Sequence, residues 1–501
     1  MRILLVSSNI KAQFPRCFPN GTAALSAFLK QEGYDVRMLH FASMKEIDRL
    51  PAFLREYEPD VVGFSVMTCE SVLLPQTTAM VKAWKPTVPV VCGGTHVIVN
   101  PQAVLNLPNV DAICHGEGEL AFLEYLQKLQ RGADVTDVQN FWFKRDGQII
   151  QNPPRAFIED LNALPFMDRG QADYQQKAID ANNGAINLLL GRGCNWNCRF
   201  CCNAYIRKAN TGTYVRNRRV EVVCDEIVEV SKKFDFRWIT IRDDNFVWDR
   251  EWAIAFCREY AKRLKYPFEI FARADCLDEE LMNELKAAGC YSIFIGLDAG
   301  HNYIRNQVLN KEQSNEDLLR VCRYMKSIGI HPVISNIVGL PYETREMHQA
   351  TIDMNREIYS DGPFFSPSFG ATPKIWVFDP WPGTELYETC KREGWLQTDE
   401  RRHKVYRQSC LNMPQFPPAE INRAFRRFRY EVFKDRFPVR AWLYRIYDTR
   451  LVEETMEHIP LEYIGQVREV VLKIMNRATR RLLGRNKLHV SQGGGVPAAT
   501  S

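Results

Sequence analysis

Two series of short apolar runs, each spaced by helix-length stretches, constrain the fold of this chain more than any other feature. The first comprises Arg2 to Val6, Asp35 to Leu39, Asp60 to Ser65, Val88 to Cys92 and Asp111 to Cys114. Runs such as Asp60-Val-Val-Gly-Phe-Ser65 are apolar throughout rather than alternating, and a strand of that kind must be covered on both faces. A doubly wound, Rossmann-like parallel α/β domain over residues 1–135 is therefore expected. Its ligand edge falls where strands end in small or polar residues: Ser7-Ser-Asn9, Ser65-Val-Met-Thr68, Gly93-Gly-Thr-His96 and Gly116-Glu-Gly-Glu119. Glycine at such an edge lets backbone approach a ligand closely.

Residues 136–180 read as a linker, broken by Pro153-Pro154 and Leu164-Pro165 and carrying a small hairpin turned at Asp146-Gly147. The second series follows: Ile186 to Leu190, Trp238 to Ile241, Phe268 to Phe271, Tyr291 to Ile295, Val333 to Val338 and Ile375 to Phe378. Six strand–helix units over 181–395 suit a partial (β/α)6 barrel better than the eight of a closed one. Residues 396–490 read as a helical, basic extension, because 401–501 hold 20 Lys/Arg against 9 Asp/Glu while the rest holds 45 against 51. The glycine-rich end, 491–501, is expected to be disordered. A composition of 46% hydrophobic and 25% charged residues excludes a disordered or low-complexity chain. No stretch approaches the roughly 18 uncharged apolar residues of a membrane span. The opening run is too short for a secretory signal, so a cytoplasmic protein is expected. In that setting its fifteen cysteines read as thiols or metal ligands rather than disulfides.

Three cysteines stand apart from that scatter. Gly191-Arg-Gly-Cys194-Asn-Trp-Asn-Cys198-Arg-Phe-Cys201-Cys202 directly follows the first run of the second series. In a loop just past a strand, the C-x-x-x-C-x-x-C spacing lets three sulfurs converge on one small object, and thiolates are the ligands iron–sulfur clusters take. Three cysteines leave one iron of a four-iron cluster open to a small molecule. The competing readings are a zinc site, which normally wants four closed protein ligands, and buried structural cysteines.

Here the chain resembles the radical S-adenosylmethionine (SAM) superfamily, whose signature C-x-x-x-C-x-aromatic-C is matched by Cys194, Cys198, Phe200 and Cys201. The resemblance continues in order. Arg242-Asp-Asp-Asn-Phe246 sits at the second-strand polar motif and Phe271-Ala-Arg-Ala-Asp275 at the third-strand arginine. Ile295-Gly-Leu-Asp-Ala-Gly300 aligns with the usual Gly-Ile-Glu-Ser-Gly, and Gly339-Leu-Pro-Tyr-Glu-Thr344 and Pro382-Gly-Thr-Glu-Leu386 resemble late-barrel motifs. It implies that Cys194, Cys198 and Cys201 hold a [4Fe-4S] cluster, with Phe200, Asp243, Asp244, Asn245, Arg273 and Asp298 around cluster-bound SAM. Asp298 and Ala299 depart from the usual Glu-Ser, shortening the carboxylate by one methylene and removing a hydroxyl. Cys202 reads as a small hydrophobe beside the third ligand.

The first strand is not followed by G-x-G-x-x-G, and G-x-x-x-x-G-K-[ST] is absent, so dinucleotide and ATP readings are weak. The first domain instead resembles the cobalamin-binding domain of cobalamin-dependent radical SAM enzymes. Pro19-Asn-Gly-Thr-Ala-Ala-Leu-Ser-Ala-Phe-Leu29, Gly93-Gly-Thr-His96 and Gly116-Glu-Gly-Glu119 carry that likeness. It implies a bound cobalamin, with Gly93, Gly94 and Gly116 admitting backbone to the cofactor's tail and Ser65, Thr68 and Glu117 as polar partners. Plain tight turns are the competing reading of those glycines. None of the nine histidines lies two residues after an Asp, as D-x-H-x-x-G requires. Cobalt is therefore expected to bind without such a ligand, and His96 to hydrogen-bond the corrin amides or nucleotide tail.

The resemblance implies reductive cleavage of SAM to methionine and a 5′-deoxyadenosyl radical beside a methyl-carrying cobalt. The expected reaction is methylation of an unactivated carbon, consuming two SAM per methyl. Radical cyclisation, oxidation or ring rearrangement without methyl transfer is the alternative, and a cobalamin or redox sensor is a distant third that leaves the cysteine loop unexplained. The expected partners are a flavodoxin- or ferredoxin-type electron donor and a small-molecule or peptide substrate, with no nucleic acid. Aromatics in Ser360-Asp-Gly-Pro-Phe-Phe365 and Ala371 to Gly383 suit either a substrate pocket near the barrel mouth or core packing. Phe425, Phe428 and Phe433, spaced near a helical period with arginines between, suit a lid, peripheral contact with an anionic membrane, or a helix packed on the barrel.

Overall fold

The computed structural model describes residues 1–10, 18–145, 147–170, 172–366, 370–396 and 406–448. The expected disordered end, and the parts of the basic extension at 397–405 and 449–490, lie outside the described residues. Five parallel strands form the first sheet: β1 (Arg2–Ser8), β2 (Asp35–Phe41), β3 (Val61–Ser65), β4 (Val90–Gly93) and β5 (Ala112–Cys114), in the order β2-β1-β3-β4-β5. Their unbroken apolar character is explained by burial on both sides. Leu4, Val62 and Val90 enter one core, and Ile3, Val61 and Val91 enter the other. The strand order reverses between β1 and β3, and in such sheets ligands bind outside the carboxyl ends of the strands near that point.

The hairpin expected in the linker belongs to this sheet instead. β6 (Phe141–Arg145) pairs antiparallel with β5, and β7 (Gln148–Gln151) pairs with β6, giving seven strands. The cause is apolar burial. Phe141 and Phe143 join the core that Tyr125 of the helix Gly118–Gln130 also enters, with Tyr125 and Phe141 stacked at 4.9 Å. The hairpin also covers what would be an open edge at β5.

The second sheet has six parallel strands in strict chain order: β8 (Ala185–Leu188), β9 (Trp238–Ile241), β10 (Phe268–Ala272), β11 (Cys290–Asp298), β12 (His331–Val338) and β13 (Lys374–Val377). This is a partial barrel. Residues of one parity, among them Leu188, Ile241, Ile270 and Ile295, pack on the outer helices. The other parity faces inward. At the amino-terminal end, Glu269 Oε1 accepts hydrogen bonds from Ser292 Oγ and Ser366 Oγ, each at 2.7 Å. Below it, His331 stacks on Phe364 at 4.2 Å. Phe364, one of the aromatics considered for the barrel mouth, therefore plugs the opposite end. Phe378 is buried in the barrel core.

The helix Pro418–Phe433 packs on the barrel, burying Phe428 and Phe433. Its apolar stripe is core, so it is neither a lid nor a membrane face. Arg427 and Arg429 on the same helix pair with Glu431 and Asp448. Among the described residues, no helix is long and apolar enough to cross a membrane.

Phe141→Ala is expected to destabilise the first domain by about 3–5 kcal/mol, the usual cost of removing a fully buried phenyl ring. Met44→Ala, at a side chain 48% exposed, should stay within about 0.5 kcal/mol. Urea unfolding of the two variants measures both.

Candidate active site

The carboxyl ends of β1, β3, β4 and β5 face the start of the barrel across a cleft. Its walls include Leu5, Ser65, Gly93, Glu117, Leu189 and Arg192. A Cβ at Gly93 would meet only Cys114, at 3.8 Å, and one at Gly118 only Leu25, at 3.8 Å, so both glycines leave open wall. Gly94 and Gly116 also line the cleft, but protein packing is what demands glycine there. Gly94 has φ of +94°, and a Cβ would sit 2.7 Å from the Val66 nitrogen; at Gly116 it would sit 2.7 Å from Asn140 Nδ2. Thr68 and His96 lie behind the wall. Both are buried, with His96 Nδ1 3.4 Å from Thr68 Oγ1.

Glu117 lines the cleft with its carboxylate engaged by protein. Its Oε1 accepts from Arg192 Nη1 at 3.0 Å and Arg216 Nη2 at 2.8 Å, and its Oε2 accepts from Arg216 Nη1 at 3.2 Å and the Ile158 amide at 2.9 Å. Glu119 Oε1 accepts from Arg192 Nη2 at 2.5 Å. Burial opposes ionisation of Glu117, yet Arg216, Arg192 and the Ile158 amide together hold its carboxyl below the usual range. Arg192 is likewise held above its ordinary value against burial. A two-residue ladder explains the convergence: Gly191–Arg192 pairs antiparallel with Arg216–Asn217, setting the two arginines side by side. Neither arginine was singled out from sequence; the available signal was a cation two residues before the first cysteine of the cluster motif.

That ladder opens the cysteine loop. Gly193 has φ of +88°, and a Cβ there would collide with the Tyr214 carbonyl, so the turn out of the ladder requires glycine. Cys194, Cys198 and Cys201 are half-buried, whereas eight other described cysteines, Cys92 and Cys224 among them, are buried. Burial, then Asp244, Cys201 and Cys198, push the Cys194 thiol up to about 12. The three sulfurs are thus electrostatic neighbours on one loop, although they do not form a closed ligand set in this structure. A half-exposed, all-thiol donor set fits an iron–sulfur cluster with one open iron. Cys202 begins the helix Cys202–Ala209, packs beside Ile98 and Ile206, and raises the neighbouring Cys201 thiol.

The remaining predicted residues surround the loop in distinct roles. Asp243 Oδ1 accepts the Leu190 amide at 2.7 Å, pinning the chain where it leaves β8 for the cysteines. Burial raises its carboxyl from 3.8 to about 7, against the Leu190 and Gly191 amides. Asp244 opens to solvent in a recess crowded enough to raise its carboxyl, opposed by the neighbouring Asn203 side chain. Asn245 is buried, accepting the Arg273 amide at 3.3 Å and donating to Cys276 Sγ at 3.6 Å. Arg273 ties the loop to the barrel. It pairs with Asp275 at 2.8 Å, donates to the Lys311 carbonyl at 2.6 Å, lies 3.5 Å over the Trp196 ring and reaches Cys198 Sγ at 3.7 Å. Asp298, at φ of +60°, is buried against Lys311 Nζ at 2.6 Å. That lysine was not expected from sequence. Phe200 is half-buried against the barrel core.

The Radical SAM superfamily model matches residues 188–354, and the B12 binding domain model matches 14–126. With both domains in one chain, the protein belongs to the cobalamin-dependent radical SAM enzymes. It is 24% identical over 442 residues to an uncharacterised methyltransferase of Pyrococcus horikoshii, covering 85% of this chain and 91% of that one. It is 24% identical over 475 residues to the cytidylyl-2-hydroxyethylphosphonate methyltransferase of Streptomyces wedmorensis, covering 82% and 86%. It is 27% identical over 406 residues to the anaerobic magnesium-protoporphyrin IX monomethyl ester cyclase of Rubrivivax gelatinosus, covering 77% and 70%. In fold it is similar to the cobalamin-dependent SAM radical enzyme OxsB, solved with aqua-cobalamin and SAM bound. There the TM-score is 0.69 at 17% identity, covering 96% of this chain and 80% of that one.

Two outcomes check the site. Anaerobic reconstitution of the Cys194, Cys198 and Cys201 triple alanine variant should give no cluster absorbance, while Cys202→Ala keeps it. Between about pH 4 and pH 7 the folded protein holds a proton on Asp243 that the unfolded chain has released, so rising pH costs stability across that window. Wild type should therefore lose stability relative to Asp243→Asn as pH rises to about 7, with no further relative change above, as read from denaturant midpoints.

Proposed function

We propose that this enzyme is a methyltransferase acting on an unactivated carbon, with a [4Fe-4S] cluster on Cys194, Cys198 and Cys201, SAM at the open iron, and cobalamin in the cleft between the domains. One observation carries the reading: Leu189 to Arg192 form a wall of the cleft and run directly into the cysteine loop. Two cofactor regions thus share a few residues of backbone. When bound, the cofactors supply a 5′-deoxyadenosyl radical and a transferable methyl group.

The chain's own part is placement and exclusion of water. Glu117, Arg192 and Arg216 fix one domain against the other, and Asp243 fixes the exit from β8. Arg273 and Lys311 bring positive charge to the Cys198 side of the loop. The Glu269 network and the His331–Phe364 stack close the barrel floor against solvent. A flavodoxin- or ferredoxin-type donor supplies the electron, and the substrate is a small molecule or a peptide. A reducing cytoplasm suits the half-buried thiol set. The cyclase relative favours the alternative outcome, radical cyclisation with the same cofactors.

An anaerobic assay with reconstituted protein, SAM, hydroxocobalamin and reductant separates the two. Methylation predicts 5′-deoxyadenosine, S-adenosylhomocysteine and methylcobalamin together, with 5′-deoxyadenosine lost in Cys198→Ala. Bound cobalamin and 5′-deoxyadenosine without any methylated cobalt would replace the methyltransferase with the cyclase.

A further inference from the structure

Arg273 is 8% exposed, and a buried guanidinium has to place the N–H donors it carries. It follows β10, where Asn245 Oδ1 accepts its amide at 3.3 Å. The chain then turns through Ala274–Cys276, which brings Asp275 back to the guanidinium. Nε and Nη2 donate to Asp275 Oδ1 and Oδ2 at 3.0 and 2.8 Å, and Nη2 also donates to the Lys311 carbonyl at 2.6 Å. One face of the guanidinium plane covers the Trp196 ring at 3.5 Å. The donors of Nε and Nη2 are thus spent on protein oxygen, and the Nη1 edge meets Cys198 Sγ at 3.7 Å.

The groups that fix this plane are tied to the cysteine loop themselves. Trp196 stands between Cys194 and Cys198. Asp275 Oδ1 also accepts Gln313 Nε2 at 2.8 Å. The segment 307–313, which supplies the Lys311 carbonyl, clasps the loop. Its Gln307 carbonyl accepts Arg199 Nη1 at 2.7 Å, its Leu309 carbonyl accepts the Arg199 amide at 3.1 Å, and Asn310 Nδ2 donates to the Asn197 carbonyl at 3.1 Å. Moving the guanidinium away from the sulfur would therefore break several of these bonds at once.

Asp275 balances the charge of Arg273, so what the sulfur meets at close range is an N–H dipole rather than a free cation. Reduction of an iron–sulfur cluster adds negative charge, and hydrogen bonds to its sulfurs are among the features that set its potential. Resting on the reading of Cys198 as a cluster ligand, we propose that Arg273 is a positioning residue, not a SAM contact: it donates an N–H to the Cys198 thiolate of the bound cluster, orienting that ligand and raising the cluster's reduction potential.

The test uses the full chain, reconstituted anaerobically with its cluster and without SAM. Arg273→Met combined with Asp275→Asn removes the donor while keeping the pair neutral, so a change in local charge does not produce the result. Reductive titration followed by electron paramagnetic resonance should show the variant displaced about tenfold toward the oxidised cluster, which is about 59 mV lower for one electron. A hydrogen bond to a charged group is of that size. SAM binding is followed in the same samples by equilibrium dialysis.

A second measurement keeps the assignment open to refutation even where the double variant takes up no cluster. Among the described residues, Arg273 is the arginine that bonds a ligand sulfur. Wild type labelled with guanidino-nitrogen-15 arginine should therefore show a weak nitrogen-15 coupling in the hyperfine spectrum of its reduced cluster. An unchanged potential in the variant, with or without a loss of SAM affinity, or a wild-type spectrum without that coupling would overturn the assignment. A wild-type chain that takes up no cluster would instead strike the reading of the three cysteines as ligands.

Discussion

The seam between the domains rests on Glu117. Two arginines and a backbone amide converge on its carboxylate, and Arg192 also holds Glu119. Taking such charges out of water is expensive, and their attraction repays it only when geometry is good and the remaining hydrogen-bonding groups are satisfied. Its structural value is registry: two domains that pack through this group have one way to meet, and removing one partner leaves a buried charge worth about 3–5 kcal/mol of destabilisation. Arg192 stands two residues before Cys194, so the docking of the first domain and the placement of the cysteine loop are a single constraint.

A second set of charges surrounds the loop. Arg273 and Lys311 approach from the segments that follow the third and fourth barrel strands, each fixed by its own carboxylate, Asp275 or Asp298. Asp243 is spent on the backbone at the end of β8, and only Asp244 opens into the recess. The polar motif that reads as a uniform set of cofactor contacts therefore divides. Some members position the loop, some balance charge beside it, and one faces open space.

Eleven strands were legible because their runs are short, wholly apolar and spaced by helices, and because six units exclude a closed barrel. The hairpin turn was equally legible, but Asp146-Gly147 says that two strands meet and not which sheet receives them; Phe141 and Phe143 decided that by packing on Tyr125. The cysteine loop is local, so its spacing carries its meaning. Glu117, Asp298 and Thr68 are not local in the same sense. Their partners, Arg216, Lys311 and His96, lie 99, 13 and 28 residues away, and a motif gives the position of a side chain without the charge it will meet. Gly94 and Gly116 show the same limit, since the close approach they permit is to Val66 and Asn140.

On the proposed function, the cleft and the cysteine loop form one reaction space held by the Glu117 seam. Electron paramagnetic resonance of the loaded full chain tests it directly, with cobalamin reduced to its one-electron-paramagnetic state and the cluster reduced in the same sample. Mutual broadening and splitting of the two signals are expected, diminished when Glu117→Gln loosens the seam. A spectrum equal to the sum of two isolated centres would contradict it.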